Sequence, residues 1–90
     1  MYVYQEQKKE VFKEKNQKDF LATRDHVDIL LEEAGAFGML NAVRGITGDS
    51  WTLMAYVDRL LELGEIKEVT PDGIAGQSRV FVAGPNNKSW

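Results

Sequence analysis

Ninety residues without a cysteine and with a net charge of −3 exclude a disulfide framework, thiolate metal sites and a thiol nucleophile, and bound the chain to one small core, because a polypeptide this short buries only about 60–70% of its unfolded surface. The apolar share of 43% is that of a folded domain rather than a disordered segment. No run approaches the roughly 18 apolar residues of a membrane span, and MYVYQEQKKEVFKEK lacks the apolar centre of a signal peptide, so a cytoplasmic protein without membrane contact is expected.

Residues 1–18 start with alternating Tyr2 and Tyr4 and continue as a mixed-charge run, five lysines against three glutamates, with Val11 and Phe12 as apolar anchors. The polarity suits a solvated arm. Alternatively, Phe12, Asn16, Phe20 and Val27 fall near one helical face, and the run extends the next helix backwards. Residues 19–35 hold Arg24 against five acids. In this stretch Phe20, Val27, Leu30, Leu31 and Ala34 predict an amphipathic helix, started by Thr23 or nearer Asp19 and ended by Gly35.

Phe37, Leu40 and Val43 repeat the helical spacing for a short second helix, with Gly45 in the following turn and Ile46 pointing back into the core. A third helix follows Thr47, Asp49 or Ser50 as cap and runs to about Leu63. On its wheel Leu53, Met54, Tyr56, Val57, Leu60, Leu61 and Leu63 share one side, and Trp51, Thr52, Ala55, Asp58, Arg59 and Glu62 the other. Gly64 is the expected left-handed residue beyond its end. Ile66 and Val69 start one strand, and Val80, Phe81 and Val82 form its partner. Between them Thr70-Pro71-Asp72-Gly73 is a turn tetrapeptide, and residues 74–78 lengthen the loop into a projecting tip. Residues 84–90 read as a frayed tail. The expected core is Leu30, Leu31, Leu40, Val43, Leu53, Val57, Leu60, Leu61, Ile66 and Phe81.

Few residues offer chemistry. His26 beside Asp25 and Asp28 has no second histidine or cysteine to converge with, so it reads as a helix-surface side chain. The glycine-bearing loop Asp72–Gln77 leads into a strand, whereas a phosphate loop needs a helix N-terminus and a lysine. No catalytic triad or carboxylate pair stands out, and no enzyme activity, cofactor or metal is expected. Arg59 either reads a base or pairs with Glu62. Arg79, beside the loop tip, suits a phosphate. Trp51 either covers the second helix or marks a binding hot spot, and Ile29 with Phe12 can contribute to a dimer seam.

The run LNAVRGITGDSWTLMAYVDRLLELGEIKEV, residues 40–69, with its Leu60-Leu61-Glu62-Leu63-Gly64-Glu65-Ile66 junction, resembles the winged helix-turn-helix superfamily over residues 20–83. That resemblance implies an α+β fold: a small winged helix with a three-helix core and a C-terminal β-hairpin wing. Residues 19–83 would form the domain, 1–18 an N-terminal arm or helix extension, and 84–90 a flexible tail. It further implies double-stranded DNA as partner and a small, dimeric transcriptional regulator. Ser50, Trp51, Thr52, Ala55, Tyr56 and Arg59 would then face the major groove, with Gln77 and Arg79 in the Gly73–Arg79 wing on the backbone. The alternative is a winged-helix interaction module that offers the same face to a protein. Its support is the acidic balance and the single cation on the third helix, flanked by Asp58 and Glu62, where base readers usually carry several.

Overall fold

The computed structural model describes residues 1–74 and 78–87. It is an α+β arrangement in the order α1 (Tyr4–Val11), α2 (Glu14–Ala34), β1 (Ala36–Gly38), α3 (Met39–Ala42), α4 (Ser50–Glu62), β2 (Ile66–Glu68) and β3 (Val80–Ala83). The strands form one antiparallel sheet in the order β1-β3-β2, so the last strand in sequence is the central one.

Residues 1–18 are neither an arm nor a simple extension. Glu14–Lys18 are the first turns of α2, which therefore starts earlier than Thr23 or Asp19. Tyr4–Val11 are a separate helix folded back against α4. Thr23 caps nothing: it is fully buried in mid-helix, and its hydroxyl donates to the Asp19 carbonyl at 2.9 Å, the local bond that satisfies a buried threonine inside a helix. Gly35 ends α2 at φ +76°, donating its N–H to Leu31 O at 2.9 Å.

β1 is the strand the sequence concealed. Ala-Phe-Gly has no alternation to read, and Phe37, expected on a helix, lies opposite Phe81 in the β1–β3 register with the rings stacked at 5.3 Å. Strand pairing at Phe37 shifts α3 to a single turn that buries Met39 and Ala42 and leaves Leu40, expected in the core, 54% exposed.

Asp49 supplies the cap of α4, its side chain accepting from Thr52 N–H at 3.2 Å. At the other end the Glu65 N–H donates to Leu60 O and the Gly64 N–H to Leu61 O, both at 3.1 Å. This is the paired bonding of a Schellman motif, with Gly64 at φ +75° as its left-handed residue. The core joins Val11, Phe20, Val27 and Leu31 of the first two helices to Val57 and Leu60 of α4 and Ile66 and Phe81 of the sheet.

Three further expectations change. The turn after β2 closes one residue later, with Ile74 N–H donating to Pro71 O at 3.2 Å and Gly73 at φ +82°. Residues 84–87 pack: Asn86 Nδ2 donates to Leu63 O at 3.0 Å, and the buried Asn87 donates to Glu65 O at 3.2 Å and Asp28 Oδ1 at 3.3 Å. His26, expected on the open surface, is half-buried with Nδ1 3.2 Å from Ala42 O, tying α2 to α3. Among the described residues no helix is long and apolar enough to cross a membrane.

Candidate interaction face of α4

A helix with apolar residues on one side and Trp51, Ala55, Asp58, Arg59 and Glu62 on the other would normally turn the second side to water. On α4 that side is covered by α1. Ala55 is completely buried and Asp58 is 7% exposed, because the small alanine lets a second helix approach closely and the longer side chains around it become its polar partners.

Five contacts run along this seam. The Tyr2 hydroxyl donates to Asp58 Oδ2 at 2.6 Å, and the Tyr2 ring stands edge-on to Trp51, centroids 6.5 Å apart. Glu62 accepts from Lys8 Nζ at 2.7 Å, Arg59 Nη1 at 2.7 Å and the Tyr4 hydroxyl at 2.9 Å. Phe12, at the end of α1, lies under the Arg59 guanidinium at 4.8 Å, within cation–π range. The donors, Lys8 foremost and then Arg59 and Tyr4, hold the Glu62 carboxyl down at about 2. Burial and then the bonds to Asp58 and Glu62 push the Tyr2 and Tyr4 phenols well above their ordinary range, keeping both neutral as donors.

Asp58 is also the meeting point with the sheet. Arg79 donates from Nη2 and Nη1 to Asp58 at 2.8 and 3.2 Å, and from Nη2 and Nε to Glu68 at 2.9 and 3.0 Å. Its side chain is 14% exposed and its guanidinium sits 5.2 Å over the Phe81 ring. Bonding to Glu68 above all, and then to Asp58, raises the arginine's pKa further, while the Arg79 guanidinium and then the Thr70 hydroxyl lower that of Glu68. Buried charges need such pairing.

The residues expected to form one binding face are thus divided. Tyr56 is buried, its ring edge-on to Phe20 at 6.1 Å, and belongs to the core together with Ala55. Thr52 is half-buried beside its cap. Arg59 is paired with Glu62 and Phe12, and Arg79 lies between two carboxylates rather than at a loop tip. Gln77 lies outside the described residues. Ser50 remains exposed, and Trp51 is 39% exposed. Ser50 also lines a shallow apolar groove of about 100 Å³ with Met39, Leu40, Val43, Leu53 and Met54.

Sequence reasoning placed Asp58 and Glu62 on this side of the helix but missed Tyr2, Tyr4 and Lys8 as their partners. The available signal was Ala55 set among Trp51, Asp58 and Glu62, a small residue inside a polar stripe, which is where a second helix comes close. The remaining basic side chains of residues 1–18, namely Lys9, Lys13, Lys15 and Lys18, are exposed at the α1–α2 corner, where Lys13 pairs with Glu10 at 2.8 Å. Lys13, then Lys15 and Lys9, lower the Glu10 carboxyl. A scan against protein-family models matches none, and searches of curated proteins and of solved structures find no significant match.

Proposed function

We propose that this chain is a winged-helix protein-interaction module whose α4 face receives a helix. The winged-helix reading is supported by the helix–strand–helix–helix–strand–strand order of α2 to β3 and by the β1-β3-β2 sheet, with α4 in the place of the recognition helix and the β2–β3 connection in that of the wing.

The observation that carries the interaction reading is the docking of α1 on α4. The face is shaped for a helix, with Ala55 at its close approach and Asp58, Arg59 and Glu62 each bonded to a group on α1, its flanks or the sheet. DNA needs cations that are free to meet phosphate. Arg59 and Arg79 are held by carboxylates, and residues 69–78 of the wing contain neither lysine nor another arginine.

The test uses the whole chain. Random duplex DNA is titrated at low and moderate salt, and in parallel a synthetic peptide of residues 1–12 is added to a Tyr2→Ala/Lys8→Ala variant whose own α1 is loosened. The expected result is no salt-dependent DNA binding and peptide-induced shifts in the α4 amide resonances. DNA binding that strengthens steeply as salt falls, with no response to the peptide, would establish the DNA reading instead.

A further inference from the structure

Resting on the helix-docking reading of α4, we propose that the partner this face fits is the α1 segment of a second copy, exchanged between two chains when the α1–α2 corner straightens into one helix. The corner depends chiefly on one torsion. Phe12 stays on the right-handed side at φ −84° and ψ −6°, a modest departure from helical values, and Lys13, at φ −66°, departs from the helix in ψ, at 135°. Residues 4–34 contain neither glycine nor proline, so rotation chiefly about that one bond joins α1 and α2 without breaking a helix rule.

Straightening redirects the docking face. Val11 stands nine residues before Phe20, about 900° of helical rotation, which places it half a turn from the side of α2 that meets the core. Tyr4 and Lys8 fall near Val11. In the straight form these side chains therefore point away from their own α4, and a second copy supplies the identical surface. Ile29, half-exposed on α2, lies eighteen residues after Val11 and so about five full turns along, in line with it. Because every α1–α4 contact is recreated between chains, the exchange changes only the corner, which is why such swaps are energetically accessible.

Two side chains hold the bend. Asn16 Nδ2 donates to Glu10 O at 2.8 Å, beside the Lys13 N–H at 3.3 Å, and Gln17 Nε2 donates to the Val11 carbonyl, so each carbonyl takes a side-chain donor where the end of α1 lacks the i+4 N–H of a continuous helix. In a continuous helix those carbonyls accept from the N–H groups of residues 14 and 15, and both side chains become dispensable. Position 14 offers the opposite lever. It is the first residue of α2, where proline is favoured, and Lys13 before it already has the extended ψ that proline prefers. Inside a straight helix the same proline would strike the Glu10 carbonyl.

The chain has no cysteine, so exchange can be read covalently. Chains carrying Lys8→Cys alone and Glu62→Cys alone are mixed, refolded together at high concentration, and treated with a short bis-maleimide. Exchange predicts a mixed cross-linked dimer, enriched severalfold by Asn16→Ala/Gln17→Ala and lost in Glu14→Pro, which light scattering should find monomeric. A dimer that persists equally in Glu14→Pro, or no dimer in the parent and the Asn16→Ala/Gln17→Ala background alike, overturns the exchange. In that second case a response of α4 to the free 1–12 peptide would leave the helix-docking reading standing, and its absence would remove both.

Discussion

The Tyr2 hydroxyl donates to Asp58 Oδ2 at 2.6 Å, and the same carboxylate takes Arg79 at 2.8 Å on its other oxygen. One acid on α4 therefore joins the first residues of the chain to the residue that leads into the last strand. It lies fifty-six positions from Tyr2 and twenty-one from Arg79, so the contact exists only in the folded state.

Removing the arginine should be a stability lesion. Arg79→Ala leaves Asp58 buried and short of its cation, which costs about 3–5 kcal/mol in comparable pairs. Urea unfolding measures it. A loss below about 1 kcal/mol would mean that Asp58 is hydrated and that Arg79 is free for other partners. A double-mutant cycle with Asp58→Ala should show strong coupling, since the two residues share one site.

The N-terminal segment should be part of the domain. Val11 is 1% exposed in the core, and truncating it to alanine removes two buried methyl-sized groups, on the order of 2 kcal/mol. Deleting residues 1–12 should lower Tm by ten degrees or more in a domain this small. A deletion that melts like the parent would show α1 to be dispensable.

The seam between α1 and α4 should open at both ends of the pH scale. Glu62 titrates near 4.5 when free and at about 2 when held by its donors. A carboxylate lowered on folding contributes fully above about 4.5, and that contribution fades as pH falls toward about 2. Tyr2 and Tyr4 are raised above their free value of 10.0. The phenols therefore contribute below about pH 10, and their contribution is lost as pH climbs beyond it. Trp51 fluorescence in a Trp90→Phe background reports the opening through the Tyr2 contact. Glu62→Gln should flatten the acid limb and leave the alkaline limb of Tyr2 in place.

Two leucines should behave oppositely. Leu60 is 1% exposed and Leu40 is 54% exposed, so Leu60→Ala should cost about 2–5 kcal/mol and Leu40→Ala under about 0.5. Equal costs would mean that α3 is turned from its observed position.

The long amphipathic stretches were legible because their information is local. The helical period of Phe20, Val27 and Leu31, the stripe Val57–Leu60, the Gly64 stop and the β-rich Val80–Val82 report which backbone forms and which side is apolar. The sequence by itself thus determined the body of α2, α4, the hairpin strands and, of the expected core, Leu31, Val57, Leu60, Ile66 and Phe81 as fully buried, with Leu30, Val43, Leu53 and Leu61 at its margin. It did not determine β1, because three residues carry no period and become a strand only when Phe37 meets Phe81. Nor did it determine the candidate face. A helical wheel sorts side chains by polarity alone, and Ala55, Asp58 and Arg59 sort with the solvated side until α1 lies over them. Whether Arg79 meets phosphate or carboxylate is decided by what stands opposite it after folding, and opposite it stand Asp58 and Glu68. That choice belongs to tertiary structure, because a charge takes its meaning from its nearest partner rather than from its position in the chain.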